Sequence, residues 1–349
     1  MSDADVLIRV VGRWGHITLN RPRALNALSY AMCCAIDDAL VAWAGDAAIL
    51  GVLIDGAGER GFCAGGDIRA LYAAVRGGDA ALADGFFARE YQLNARIATY
   101  PKPYIALMDG ITMGGGIGLS AHGSHRVVTE RSVLAMPEVG IGFIPDIGAT
   151  HLLGRVADGL GTHVALTAMR LGAADALAID LADHYVAAAR LEELRRLVLG
   201  ASSVAAAEAG IASCAAAAGA SALMAARDWI GACYRYETVA EILGALEAAG
   251  PAGRAAAAVI LAQSPTSVML TLRALHDARG YAALKPCLQQ EYRVAVRCIR
   301  GHDFMEGVRA AVVDKDRTPH WRPDRLAAVD AAAIAAHFLS LGAAELRFD

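Results

Sequence analysis

The chain has 349 residues, 56% hydrophobic and 19% charged, which is enough apolar material for two or more cooperating units around a large core. A formal net charge of −4 supplies no basic field for nucleic acid or an anionic membrane surface, so neither is expected as a partner. The seven cysteines are scattered, form no C-x-x-C pair and follow no metal-ligand rhythm, as expected in a reducing compartment.

The opening MSDADVLIRV is acidic and runs at once into a strand-like stretch, unlike a signal or transit peptide, so the expected location is the cytoplasm. Residues 6–11 and 16–20 predict a β-hairpin across a Gly12/Gly15 turn. Ser29 can cap a helix running through Ala44. Residues 49–54, ILGVLI, form a continuous apolar run, the mark of a strand covered on both faces. Residues 104–108 and 127–129 repeat that pattern, with helical or glycine-rich segments between them. This alternation predicts an α/β core over residues 1–190. From about Leu191 the chain turns alanine-rich and helical, with no strand expected through 349. There Ser264 is an N-cap candidate with proline following, DKDRTPHWRP reads as a turn, and a last helix is expected over 330–341. Residues 209–226 carry no charge, but alanine, serine and glycine favour membrane insertion little. A closely packed small-residue helix is the expectation there.

Four stretches could carry chemistry. GAGERG at 56–61 matches G-x-G-x-x-G, but no second strand with an acid near its end follows soon, so a dinucleotide fold is not expected. In CAGGD at 63–67 the paired glycines either let backbone N–H groups face a ligand or simply precede a helix capped by Asp67. DGITMGGGIGLS at 109–120 either opens a helix whose free N–H groups favour negative charge or allows close helix–strand packing. In MPEVGIGFIPDIG at 136–148 two acids, Glu138 and Asp146, stand among apolar residues. A buried carboxylate shifts its pKa, so the pair either reaches the surface or lines a pocket that uses perturbed acids. Glu90, in the helical stretch FFAREYQLNARIA, taken alone reads as a solvated glutamate. No serine-hydrolase elbow or histidine cluster is visible.

Together these segments resemble the enoyl-CoA hydratase/isomerase (crotonase) superfamily. The matching stretches are NRPRALNAL at 20–28, GFCAGGDIRALY at 61–72, KPYIALMDGITMGGGIGLS at 102–120 and AMPEVGIGFIPDIG at 135–148. FFAREYQLN at 86–94, SPTSVMLTLR at 264–273 and the segment 291–321 make it similar to the 3-hydroxyisobutyryl-CoA hydrolase branch. The resemblance implies a ββα spiral core over 1–190 holding both glycine loops, with a helical region over 191–349 packed on it. It implies backbone N–H groups of Gly66 and Gly115 on a thioester oxygen, and the nucleotide end of CoA near Arg23 and Ala64–Ile68, which includes Asp67. Enoyl-CoA hydratases place a second catalytic glutamate two positions after the GGG, where this chain has Gly118. The hydrolase branch pairs Glu138 with an aspartate at Asp146 and adds a glutamate at Glu90. The expected activity is therefore hydrolysis of a short β-hydroxyacyl-CoA, with 3-hydroxyisobutyryl-CoA of valine breakdown first; the alternative is an enoyl-CoA hydratase or isomerase using Glu138 alone. No metal or redox cofactor is implied, coenzyme A being part of the substrate. The superfamily's habit points to a homo-oligomer, a trimer or hexamer.

Overall fold

A computed structural model of the chain describes residues 4–348. They fall into two compact units that interleave along the sequence. The first holds the chain up to Gly66, Gln92–Leu134 and Leu171–Ala222; the second holds Asp67–Tyr91, Ala135–Arg170 and the chain from Leu223 onward.

The strands are β1 (Val6–Val11), β2 (Trp14–Leu19), β3 (Gly51–Gly56), β4 (Gly61–Cys63), β5 (Tyr104–Met108), β6 (Ile111–Met113), β7 (His125–Val128), β8 (Val133–Ala135), β9 (His184–Val186) and β10 (Ala215–Ala216), all in the first unit but for the last residue of β8. Seven form one sheet in the order β1-β2-β3-β5-β7-β9-β10, and β4-β6-β8 form a second. From β2 through β9 the large sheet is parallel, with antiparallel strands at both edges. Three consecutive strand pairs, β3/β4, β5/β6 and β7/β8, each place their first strand in the large sheet and their second in the small one. This is the ββα winding that the resemblance implies.

The apolar run at 49–54 behaves as its composition requires. Val52, Leu53 and Ile54 are all fully buried, since a parallel strand covered on both faces has no side left for polar residues. Leu53 joins Trp14, Ile105, Val127, Leu194, Val198 and Ile211 in one cluster between the sheet and the helices Leu191–Leu199 and Val204–Cys214. Full burial of each such side chain contributes about 1.5–3 kcal/mol. A buried polar network crosses this layer. Asp55 on β3 lies 3.0 Å from His16 Nε2 on β2 and accepts from Arg195 Nε at 2.8 Å.

Three expectations change. Gly15 is not a turn residue but lies inside β2, where a Cβ would come within 2.4 Å of the Trp43 ring; it is small because the indole needs the space. The turn is the two residues between Val11 and Trp14. The helix expected across 209–226 ends at Cys214, and Ala215–Ala216 pair with Val186 and Tyr185. The region after 191 therefore does hold a strand, one built from residues with no strand signature. Among the described residues no single helix is long and apolar enough to cross a membrane.

In the second unit the helix Pro265–Arg279 starts as predicted. The Ser264 hydroxyl accepts from the Ser267 N–H at 3.1 Å, and Pro265 takes the first turn, where its missing N–H costs nothing. This helix packs on Ala149–Gly154, Leu160–Thr167 and Leu284–Cys298. Asp330 caps the last α-helix, Ala331–His337.

Candidate active site

The predicted site residues form two groups, one in each unit. In the first unit the group is made of backbone. Residues 20–28 lie over the loop after β4, and Asn26 holds them there. Its side-chain amide donates to the carbonyls of Ala57 and Gly61, and its oxygen accepts from the Arg21 N–H. The Ala64 N–H donates to the Leu25 carbonyl at 2.9 Å and the Leu28 N–H to the Gly65 carbonyl at 2.8 Å. The structure thus brings Ala64 and Gly66 alongside the segment that bears Arg23, whose side chain is exposed.

The second glycine loop packs on the first. Gly65 has φ +102°, and a Cβ there would stand 3.4 Å from the Gly115 nitrogen; a Cβ on Gly116 would come within 2.3 Å of the Cys63 carbonyl. Only glycines allow two backbones to approach so closely. Gly115 is the first residue of the helix Gly115–Ser120, where N–H groups have no partner inside the helix. Among the described residues neither the Gly66 nor the Gly115 N–H donates to a backbone acceptor. Two amide donors are thus left free by loops that glycine alone can form. Asn94, fully buried in the C-terminal part of the helix Ala80–Ala98, leaves both side-chain amide atoms without a partner among the described residues. Sequence reading missed it, because one asparagine in a helical stretch carries no signal.

In the second unit the group is made of acids. Glu90, Glu138, Asp146 and Glu291 are all buried. Glu90 lies on Ala80–Ala98, Glu138 opens the short 3-10 turn Glu138–Ile141, and Asp146 precedes the helix Ala149–Gly154. The Tyr91 hydroxyl donates to Asp146 Oδ2 at 2.6 Å. Glu90 Oε1 and Glu138 Oε2 have no hydrogen-bond partner among the described residues. The 3-10 turn is fixed from below: a Cβ on Gly307 would come within 2.4 Å of the Ile141 backbone, and one on Gly142 within 2.1 Å of Asp303. An aromatic wall of Phe87 stacked on Phe143 at 5.3 Å, with Phe304 behind Phe143, keeps the surroundings apolar.

Burial raises every one of these acids, and the charge of Asp146 adds to the rise of the three glutamates. Loss of water pushes Glu90 and Glu138 well above the usual carboxylate range, and the charge of Asp146 adds to both. Asp146 is raised by burial to about 7, although the Tyr91 hydroxyl pulls it down. Burial takes Glu291 up to about 8 against the pull of its hydrogen bonds to Thr150 and Gly148. Acids this close have linked titrations, and burial makes each of them hold its proton more tightly than a solvated carboxyl does, which suits groups that move protons. Among the described residues no three His, Cys, Asp or Glu side chains are grouped to hold a metal ion. Of the remaining predicted residues, Asp67 accepts from the Ala70 N–H at 3.2 Å and caps the helix that begins at Ile68, the structural role open to it from sequence. Tyr91 and Glu291 lie within the stretches that carry the resemblance, yet neither was legible as a partner of Asp146.

A family model described as enoyl-CoA hydratase/isomerase matches residues 14–338. The mitochondrial 3-hydroxyisobutyryl-CoA hydrolases of Rattus norvegicus and Homo sapiens are 42% and 40% identical, the alignments covering 99% of this chain and 91% of each relative. A solved structure titled carnitinyl-CoA dehydratase, from Mycobacterium thermoresistibile, superposes with a TM-score of 0.95 at 44% identity, over 99% of both chains. One titled enoyl-CoA hydratase, from Rhodobacter sphaeroides, gives 0.92 at 41%, over 99% of this chain and all of the other. The curated relatives are mitochondrial by name, and this overturns the cytoplasmic location expected from the N-terminal residues.

Proposed function

The chain belongs to the enoyl-CoA hydratase/isomerase family, and from that premise we propose that it is an acyl-CoA thioester hydrolase acting on 3-hydroxyisobutyryl-CoA. The free N–H groups of Gly66 and Gly115 receive the thioester oxygen and stabilise the oxyanion that forms on it; losing one such donor typically costs ~10²–10³ in rate. Glu138 acts as general base. It takes a proton from water, the water oxygen attacks the carbonyl carbon, and the carbon–sulfur bond breaks as the tetrahedral intermediate collapses. The proton passes to the departing sulfur, giving the free 3-hydroxy acid and CoA thiol. Its Oε2 has no hydrogen-bond partner among the described residues and so is open to take that proton, and burial raises its affinity for it. Asp146, with Glu90 beside it in the same acid cluster, receives the substrate's β-hydroxyl. The step as written uses no metal or redox cofactor. The CoA nucleotide is assigned to the segment bearing Arg23 and to the loop Ala64–Ile68.

The observation that favours hydrolysis over hydration is the residue at 118. A glycine stands where hydratases carry their second catalytic glutamate, while Glu138 and Asp146 are both present and buried. The two solved structures bear dehydratase and hydratase titles, so the competing reading has a direct test. Glu138→Gln should abolish CoA thiol release from 3-hydroxyisobutyryl-CoA, at least a 10³-fold loss, while acyl-CoA binding persists. Full thiol release by that variant, or loss of enoyl absorbance from crotonyl-CoA without thiol release by the native chain, rejects the hydrolase.

A further inference from the structure

Glu291 lies on Leu284–Cys298, has no exposed surface, and faces a turn more than 140 residues earlier in the chain. Its Oε2 accepts from the Gly148 N–H at 2.7 Å, and its Oε1 accepts from the Thr150 N–H at 3.0 Å and the Thr150 hydroxyl at 2.5 Å. These donors bracket an unusual piece of backbone. Ile147 has φ +56° and Gly148 φ +82°, and the Ala149 N–H closes the turn on the Asp146 carbonyl at 2.8 Å. A β-branched residue in the left-handed region is an outlier that persists only where its surroundings over-determine it. Glu291 supplies that determination, and the residue the turn presents is Asp146.

We propose that Glu291 is a positioning residue: it holds the Asp146–Thr150 turn so that the Asp146 carboxyl meets the Tyr91 hydroxyl and the substrate in one fixed orientation. Asp146 is then fixed twice, by Tyr91 at its side chain and by Glu291 through its backbone. A buried acid placed beside like-charged acids is a poor choice for packing alone, since an apolar side chain would fill the space without the repulsion. Both Glu291 oxygens are instead matched to donors of the one turn that carries Asp146. The inference rests on the hydrolase reading above and assigns that site a support the chemistry does not touch.

The test is a double-mutant cycle on thiol release. Glu291→Gln keeps size and loses one acceptor. It should lower kcat about 10- to 100-fold with KM within about twofold, the pattern of a displaced group rather than of lost binding. In an Asp146→Asn background the same change should cost less than twofold, because residues acting through one another are not additive. Thr150→Val should reproduce part of the loss and Thr150→Ser recover it, which also covers the case of a poorly folding Glu291→Gln. Equal fold-losses in both backgrounds, or a KM effect with kcat intact, overturn the proposal. A native chain that releases no thiol overturns the hydrolase reading instead. The positioning role is then read from the 13C carboxyl resonance of Asp146, identified by its absence in Asp146→Asn: displacement in Glu291→Gln supports the role, and an unmoved resonance rejects it.

Discussion

Asp55 and Asp146 are equally hidden, each 4% exposed, yet their carboxyls are driven in opposite directions. Burial alone would raise Asp55, but the hydrogen bond and charge of His16, with Arg195 beside it, hold it below the ordinary aspartate value. Asp146 has neutral donors instead, the Tyr91 hydroxyl and its own backbone N–H; burial takes it up to about 7, and its charge adds to the rise of Glu90, Glu138 and Glu291. What separates a structural acid from a reactive one in this chain is therefore the charge of its neighbours, not its depth. In the first unit Asp55 joins β2, β3 and the helix Leu191–Leu199. The second keeps a group of acids poorly compensated, at a cost in stability, where proton transfer is wanted.

Asp55→Ala breaks the comparison on its structural side. It removes the carboxylate shared by His16 and Arg195 Nε, while Arg195 keeps Glu192 and His16 keeps Thr18, and should cost about 2 kcal/mol of unfolding free energy, below the range for breaking a fully buried ion pair. Chemical denaturation measures this, and kcat should stay near that of the native chain. Asp146→Asn is the mirror experiment. Thiol release should fall by ~10², the low end of what positioned proton-handling groups contribute. Its melting temperature at pH 8 should be equal or higher, because a repelled charge has gone.

The same contrast sharpens into a pH dependence with opposite signs. Between the ordinary value of 3.8 and about 7 the folded chain keeps a proton on Asp146 that the unfolded chain has released, so stability falls as pH rises through that window. Asp55 is depressed, so its contribution is present above 3.8 and lost as pH falls through its lower folded value. Thermal melts at pH 5 and pH 8 should therefore show a drop at the higher pH that shrinks in Asp146→Asn and survives in Asp55→Asn. The smallest expected effect is that of Tyr91→Phe. It removes the hydrogen bond that pulls Asp146 down, so the Asp146 carboxyl should titrate at still higher pH, with a loss in kcat below about tenfold. The 13C titration curve of that carboxyl reads the shift.

Some of this was legible in the sequence and some was not, for physical reasons. The runs at 49–54 and 104–108 gave their strands away, because a strand covered on both faces must be apolar throughout. Gly15 misled, because a glycine that makes room for an indole looks like one that makes a turn. Ala215–Ala216 were missed because two alanines carry no preference for a strand; pairing with β9 alone makes them one. The glycine loops could be seen as unusual, but whether their N–H groups were free depended on where neighbouring chains ran. Glu90 read as solvated and is buried, because a single side chain on a helix does not announce which way the helix faces. Tyr91 and Glu291 meet the Asp146 turn across 55 and more than 140 residues, a separation over which composition and periodicity carry no information.

The central claim is that this pair of glycine loops and this acid group cleave a thioester bearing a β-hydroxyl. Following CoA thiol release from 3-hydroxyisobutyryl-CoA, isobutyryl-CoA and crotonyl-CoA under one set of conditions tests it most directly. The account predicts release that is fastest with 3-hydroxyisobutyryl-CoA, at least tenfold slower with isobutyryl-CoA, and little consumption of crotonyl-CoA. No thiol from any of the three, with rapid loss of the crotonyl-CoA enoyl absorbance, would contradict it.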